Sequence, residues 1–460
     1  MKKVILLFFF FFSSLTIIFS LILIKKKLIL FPQAEEKLAN IIVDSSVTQG
    51  TITPIWQALA QGGEEKYPFD NILPEITNLQ PKYIRIDHIY DFYNVVKKEN
   101  ERLIFSWQEL DKIVDQILAT GALPFLSLSY MPPTIAQNND ITAPPHHWED
   151  WSKVVRETIQ HYSGKNEKNL SNVVYEVWNE PDLFGGWKIG GKKDYRLLYK
   201  YAILGANQTQ NTNPFKIGGP AITAPYKNWV NNFLDFTVKN NLRIDFYSWH
   251  RYSLNPSDFL EDINLVDRWL FQNAAGSLEK YLTEWGPFSE KSSLNDTDFS
   301  AAHLVATVRC LLQRVDLAFI FEIKDGLPPN NEKYWGGWGI LTNEKAGEIE
   351  KKPKYFALEM LNKMTGIKIK LEGEGSWVTG FASKEENTLK IILVNLDKNN
   401  QHFENVPLTI NNLENGNYSY QETFLRGINN RFIISITNGI FQRQIPLTSN
   451  NIVLLQLTKI

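Results

Sequence analysis

W-Q-E-L-D-K-I-V-D-Q-I-L-A-T-G-A-L-P-F-L-S-L-S, residues 107–129, carries two patterns in succession. Trp107, Leu110, Ile113, Val114, Ile117 and Leu118 recur at three- and four-residue spacing, as one buried face of a helix requires. Past Gly121 that period is lost, and Leu123–Ser129 is a short apolar run of strand length. A helix feeding a strand is the repeating unit of a parallel sheet, whose neighbouring strands must be joined by crossovers.

The alternation extends both ways from this stretch. Strand-like runs are Ile52–Trp56, Tyr83–Asp87, Leu123–Ser129, Val173–Trp178, Lys216–Gly219, Ile244–Trp249, Lys280–Glu284 and Leu317–Ile323. Helix-like segments lie between and after them: Asn71–Leu79, Trp107–Thr120, Trp148–Tyr162, Asp194–Gln210, Trp229–Asn240, Asp258–Asn273, Thr297–Arg314 and Lys354–Met364. Eight of each predict a (β/α)8 TIM barrel over residues 51–366. A doubly wound open sheet is disfavoured because no Gly-rich phosphate loop follows the first strand. After Gly366 the helical period disappears. Trp377–Ser383, Leu389–Leu396, Val406–Ile410, Tyr418–Phe424, Phe432–Thr437 and Ile452–Leu457 are short runs parted by Asn, Gly and Lys, which predicts an antiparallel β-sandwich over residues 367–460.

Composition narrows the function. Forty-eight basic side chains against 50 acidic ones give a net charge of −2, without the basic footprint of a nucleic-acid binder. Cys310 is the only cysteine, which excludes an internal disulfide and argues against a cysteine-based zinc site. His146-His147 is no better as a metal pair, since adjacent side chains do not readily converge on one ion. No metal and no cofactor is expected.

The N-terminus has a separate character. Residues 4–24 are apolar apart from Ser13, Ser14, Thr16 and Ser20, and as a helix they would rise about 31 Å, enough to cross a hydrocarbon core. Three lysines and bulky residues follow, with no small-residue cleavage pattern. Residues 1–31 are therefore expected to be a transmembrane anchor, with a cleaved signal as the alternative, and 32–50 a linker. The lysine counts on the two sides do not set the orientation.

In a barrel, reactive groups belong at the C-terminal ends of strands. Those ends supply Arg85 and His88, Ser129-Tyr130-Met131-Pro132, Trp178-Asn179-Glu180-Pro181, Gly219-Pro220, His250 and Tyr252, Glu284-Trp285, and Glu322 with Asp325. Glu180 and Glu284 close the fourth and seventh strands, which face each other across a mouth of eight. Two carboxyls flanking one sugar bond are the requirement of glycoside hydrolysis. Pro181 is expected to hold Glu180 extended.

V-Y-E-V-W-N-E-P-D-L (174–183) resembles the acid/base strand of glycoside hydrolase family 39. The resemblance continues through K-Y-I-R-I-D-H-I-Y (82–90), L-P-F-L-S-L-S-Y-M-P (123–132), D-F-Y-S-W-H-R-Y (245–252), L-T-E-W-G (282–286), W-G-G-W-G-I-L-T (335–342) and K-P-K-Y-F-A-L (352–358). It implies a retaining glycosidase with Glu180 as acid/base and Glu284 as nucleophile. It also implies that Asn179 bonds the sugar 2-hydroxyl, that Arg85 and Tyr252 keep Glu284 ionised, and that His250 lines the subsite. His88, Trp178, Trp285, Glu322, Asp325, Trp335 and Trp338 complete the expected sugar-binding set. Ser127 and Ser129 stand where the family often has a carboxylate, and Phe321 where a Trp is common. The partner expected is a carbohydrate, with the catalytic domain held outside the cytoplasm by residues 4–24, or secreted. A non-catalytic carbohydrate-binding envelope protein and a transglycosylase using the same intermediate are the alternatives.

Overall fold

The computed structural model describes residues 36–427 and 429–460. The segment expected to cross a membrane, residues 4–24, lies outside them. Among the described residues no helix is long and apolar enough to cross a membrane.

In chain order the strands begin with β1 (Ile41–Thr51), β2 (Ala58–Gln61), β3 (Tyr83–Ile86), β4 (Val96–Glu99) and β5 (Arg102–Phe105). The next are β6 (Leu123–Ser127), β7 (Val173–Glu176), β8 (Phe215–Ile222), β9 (Phe246–Tyr252), β10 (Glu279–Gly286) and β11 (Leu317–Phe321). The order β10-β11-β2-β3-β6-β7-β8-β9 closes into a parallel barrel. Its crossovers hold α1 (Leu73–Asn78), α2 (Gln108–Ala119), α3 (Trp148–Ser163), α4 (Tyr195–Asn207), α5 (Lys227–Lys239), α6 (Pro256–Gln272) and α7 (Asp298–Leu311), and α8 (Pro353–Leu361) follows the last strand. In α2, Leu110, Ile113, Val114 and Ile117 are buried, the face set by the sequence period. Burying each such side chain stabilises the fold by roughly 1.5–3 kcal/mol. The helix stops where Gly121 takes φ 85°, the left-handed position that glycine occupies without a Cβ penalty. Inside the barrel Phe125, Phe246, Tyr281 and Phe319 pack with the small Ala58 and Ala60, so the centre is solid and only the mouth is open to chemistry.

The remaining strands are β12 (Ile367–Glu372), β13 (Val378–Glu385), β14 (Thr388–Asn395), β15 (Glu404–Asn411), β16 (Gly416–Phe424), β17 (Asn429–Ile436), β18 (Phe441–Leu447) and β19 (Ile452–Lys459). With β1 they form one nine-stranded sheet, ordered β17-β16-β19-β14-β13-β12-β1-β15-β18. Side chains from β14, β15, β18 and β19 share a single core, so the sheet closes over itself as a sandwich. In β14 and β19 the alternation serves two cores. Ile391, Leu393, Val453 and Leu455 face the sandwich interior, while Ile392, Val394, Ile452 and Leu454 join the barrel's helix layer. α7 lies against β13, β14 and β19, which explains why it is buried along nearly its whole length.

Three expectations are corrected. Residues 41–51 are not part of a linker: β1 pairs antiparallel with β12 and parallel with β15, so the sandwich is not purely antiparallel and is not confined to residues 367–460. The first barrel strand is Ala58–Gln61 rather than Ile52–Trp56, where Pro54 leads into a 3-10 turn. A hairpin, β4–β5, stands between β3 and α2 where no element was expected.

Candidate active site

Glu180 follows β7 in an unusual backbone. Trp178 has φ 77° and Glu180 φ 43°, both left-handed, so Glu180 is not in the extended conformation expected before a proline. Such conformations cost on the order of 1–3 kcal/mol each and persist where surrounding bonds impose them. Here the Glu180 amide donates to the Ala221 carbonyl at 3.0 Å, and the Glu180 carbonyl accepts from the amides of Leu183 and Phe184 at 3.0 and 2.8 Å. The turn thereby aims the carboxyl across the mouth.

Glu284 ends β10 beside His250 of β9, its register partner. One side-chain donor atom from each of Glu180, His250 and Glu284 lies within 4.8 Å of the other two. Nδ1 of His250 is 2.9 Å from Oε1 of Glu180 and 3.6 Å from Oε2 of Glu284. The Tyr252 hydroxyl donates to Oε1 of Glu284, and Nη1 of Arg85 stands 3.6 Å from its Oε2. Arg85 itself is fixed by Glu176 at 2.8 Å and donates to Oδ1 of Asn179 at 2.8 Å. Asn179 in turn donates to the Tyr130 hydroxyl at 3.0 Å and to Asp87 at 3.2 Å. Six expected residues, Arg85, Asn179, Glu180, His250, Tyr252 and Glu284, are thus one connected group.

The electrostatics differ in one respect from expectation. Burial pushes Glu284 up to about 7. Glu180 adds to that rise, while His250, Arg85 and Tyr252 oppose it without cancelling it. Burial works against protonation of His250, but the two carboxyls outweigh it and raise the imidazole above its usual value. These three side chains are also the one His/acid group among the described residues with the spacing of metal ligands. The direct His250–Glu180 contact and the Arg85 charge already provide for them.

A second group of acids lies at the end of β11. Glu322 is fully buried, its Oε2 accepting from Gln61 at 2.9 Å, and its Oε1 has no partner among the described residues. Burial and the neighbouring Glu64 hold Glu322 well above the usual carboxylate range. Glu64 folds its carboxyl over Gly62, where a Cβ would come within 2.8 Å of it. His88 pairs with Asp91 at 2.7 Å and stacks between Phe92 and Tyr130 at the rim. Trp335 and Trp338 are half-buried and 6.1 Å apart, and Phe321 lies between Tyr252 and Trp338.

Three expected sugar contacts belong to the scaffold instead. Trp178 is fully buried among Trp151, Trp187 and Tyr130, and Trp285 packs against Phe259 and His303. Asp325 is buried under Lys352, which bonds both its oxygens at 3.0 Å and also reaches the Gly337 carbonyl. The residues that sequence reasoning left out are Glu176, Asp87, Gln61 and Glu64, while Tyr130 stood among the strand ends without a role. The one available signal was the charge of Glu176 within an otherwise apolar strand.

Comparison with known proteins identifies the family of the chain. The family model described as "Glycosyl hydrolases family 39" matches residues 40–428. A beta-xylosidase of Caldicellulosiruptor saccharolyticus is 27% identical over 354 residues, covering 69% of this chain and 70% of its own. One from Geobacillus stearothermophilus is 23% identical over 317 residues, and the match spans 61% of each chain. Among solved structures, a monomeric beta-xylosidase from Caulobacter crescentus CB15 superposes with a TM-score of 0.78 at 18% identity, covering 92% of this chain and 100% of its own. The GH39 enzyme from Xanthomonas axonopodis pv. citri gives 0.77 at 18% identity, covering 94% and 100%. At that identity the superpositions establish the shared fold.

Proposed function

Because the chain belongs to glycosyl hydrolases family 39 and is a glycosidase, we propose that it cleaves glycosides with retention, using Glu284 as nucleophile and Glu180 as acid/base. One observation carries this reading: two carboxyls, one just after β7 and one on β10, with β8 and β9 between them, each nearly buried, present oxygens within 4.8 Å of each other. Retention calls for carboxyls about 5–5.5 Å apart, whereas inversion needs about 6.5–9.5 Å to admit a water.

The contacts support this division of roles. Oε1 of Glu284 is engaged by Tyr252, and Oε2 keeps only the longer contacts to Arg85 and His250. Oε2 is thus the oxygen free to attack the anomeric carbon. As it does so, Glu180 passes its proton to the leaving oxygen, and the sugar becomes an ester of Glu284. Glu180, now a base, takes a proton from water, which attacks the same carbon and frees Glu284. Asn179, held by Arg85, faces the 2-hydroxyl, and Glu322, His88, Trp335 and Trp338 contact the rest of the sugar. The relatives' activity favours a β-xyloside as substrate. The apolar run at residues 4–24 would anchor the enzyme with its catalytic domain outside the cytoplasm. N-terminal sequencing of membrane-bound protein separates an anchor from a cleaved signal.

A 2-deoxy-2-fluoro-β-xyloside with a dinitrophenolate leaving group tests the chemistry. Stoichiometric labelling, located by peptide mass spectrometry on Glu284, is expected. Labelling of Glu180 would reverse the roles, and turnover with an inverted product would end the retaining reading.

A further inference from the structure

The chain directly after Glu180 forms the leaving-group side of the cleft, because a proton donor must touch the oxygen that departs. That chain is P-D-L-F-G-G-W, residues 181–187. It turns back at once, with the amides of Leu183 and Phe184 bonded to the Glu180 carbonyl. The turn leaves Leu183 60% and Phe184 43% exposed at the barrel mouth, and Tyr226, from the next βα loop, 48% exposed. These apolar side chains are held in place. Asp182 accepts from the Thr223 amide at 3.1 Å and from its hydroxyl at 2.5 Å, and that hydroxyl lies 3.2 Å from the Tyr226 hydroxyl. The two loops are therefore tied together beneath Leu183. Phe184 is anchored on its inner side, its ring 6.0 Å from Tyr130 and its carbonyl accepting from Nε1 of Trp178 at 3.4 Å.

The same bonds engage the polar groups between these side chains. Asp182, Thr223 and the Tyr226 hydroxyl bond one another rather than a ligand, so the faces of Leu183, Phe184 and Tyr226 are what this patch presents. A subsite for a second sugar would need directional partners for several hydroxyls. We propose that Leu183, Phe184 and Tyr226 form a platform that selects an apolar leaving group, an aryl or alkyl aglycone, over a hydroxyl-rich sugar. This inference rests on the assignment of Glu180 as acid/base.

Three substrates sharing one β-xylosyl group test it: the octyl glycoside, the β-1,4-linked disaccharide and the β-fluoride. Fluoride is too small to reach the platform, so it reports the glycosyl side alone. Wild type is expected to show a higher kcat/KM for the octyl glycoside than for the disaccharide. In Leu183→Ser and Phe184→Ser, the octyl-to-fluoride ratio of kcat/KM should fall about tenfold, the usual worth of a few methylenes in an apolar site. The disaccharide-to-fluoride ratio should stay within about twofold. Using ratios removes the effect of any loss of folded enzyme, and Leu183, being the more exposed, provides the variant that disturbs the scaffold least. A wild-type preference for the disaccharide, or an unchanged octyl-to-fluoride ratio in both variants, overturns the platform while leaving the hydrolase reading intact. Fluoride departs without a proton and octanol does not, so an octyl-to-fluoride ratio left at its wild-type value in Glu180→Ala removes the acid/base assignment and the platform with it.

Discussion

Arg85 and Glu176 form a fully buried ion pair at 2.8 Å, joining β3 to β7 beneath the two candidate catalytic carboxyls. The pair matters because Arg85 also reaches Asn179 and stands 3.6 Å from Glu284. One guanidinium therefore positions the Asn179 amide and supplies positive charge to Glu284. Removing one partner of a buried pair strands the other, which costs about 3–5 kcal/mol. Glu176→Ala is expected to lose that much stability in urea titration, although Glu176 touches no substrate. A loss below about 1 kcal/mol would show that Glu284 and Asn179 suffice to hold Arg85.

The burial of Glu284 sets a pH dependence. Its carboxyl is raised to about 7, so Glu284 holds a proton below that pH and gives it up above. Attack on the sugar needs Glu284 ionised. Wild-type kcat/KM should therefore rise as pH rises through about 7. Glu180→Gln removes the neighbouring charge that helps raise Glu284. With an activated aryl glycoside, its acid limb should lie below that of wild type. An acid limb left at its wild-type position in Glu180→Gln would assign it to another residue.

The same shift bears on stability. A carboxyl raised on folding favours the folded state most when protonated, a benefit complete below its unfolded value and lost as pH rises through its folded one. For Glu284 that window runs from the ordinary carboxyl value of 4.5 up to about 7. Glu284→Gln carries no charge to bury, so above pH 7 it should be more stable than wild type, on the order of 1–3 kcal/mol. Thermal melts of both proteins at pH 4 and pH 8 provide the check. Equal differences at the two pH values would contradict the buried, raised carboxyl.

The sequence was most informative where local pattern and tertiary environment coincide. The period of Leu110, Ile113, Val114 and Ile117 is the buried face of α2, and Glu180 and Glu284 were found from strand ends alone. β1 was missed because it pairs with residues more than 300 positions away, such as Ile42 with Glu372, and only its first half alternates in burial. Trp178 and Trp285 read as sugar contacts because they stand near the two candidate carboxyls. Strand geometry turns consecutive side chains to opposite faces, so Trp285, next to the inward Glu284, points out into the helix layer. Trp178 lies past the end of β7 in left-handed backbone, which no strand pattern foretells. Glu176 escaped notice because a charge within an apolar strand shows that a partner is needed, not which one it is.

Asp325 provides a contrast between scaffold and site. Its carboxylate takes Lys352 at 3.0 Å and the Gly339 amide at 2.6 Å, and Lys352 also bonds Asp296 at 2.5 Å. These bonds hold the 335–342 loop, with its two Trp side chains, against β11. Asp325→Ala should destabilise the protein by about 3–5 kcal/mol, since Lys352 stays buried with one carboxylate fewer. Unchanged stability with a large rise in KM would return Asp325 to the sugar-binding group.

Removal of Glu180 and of Glu284 should produce different failures, because the two act at different times. Without Glu284 no ester can form, and Glu284→Ala should lose turnover on every substrate, by upwards of about 4 kcal/mol at the transition state. Without Glu180, an activated aryl leaving group still departs, since it needs little protonation. The ester then waits for a water that no base deprotonates, so Glu180→Ala should release a burst of phenolate and then stall. Azide needs no deprotonation. Added to Glu180→Ala, it should restore turnover and give a glycosyl azide with the substrate's anomeric configuration, the result of two inversions. Added to Glu284→Ala, it enters the space of the missing carboxyl, attacks the substrate directly and gives the opposite anomer. NMR of the two products distinguishes these outcomes. Exchanged anomers would mean that the histidine-contacted carboxyl is the nucleophile and the tyrosine-contacted one the acid. Full activity in both alanine variants would move the chemistry away from this pair altogether.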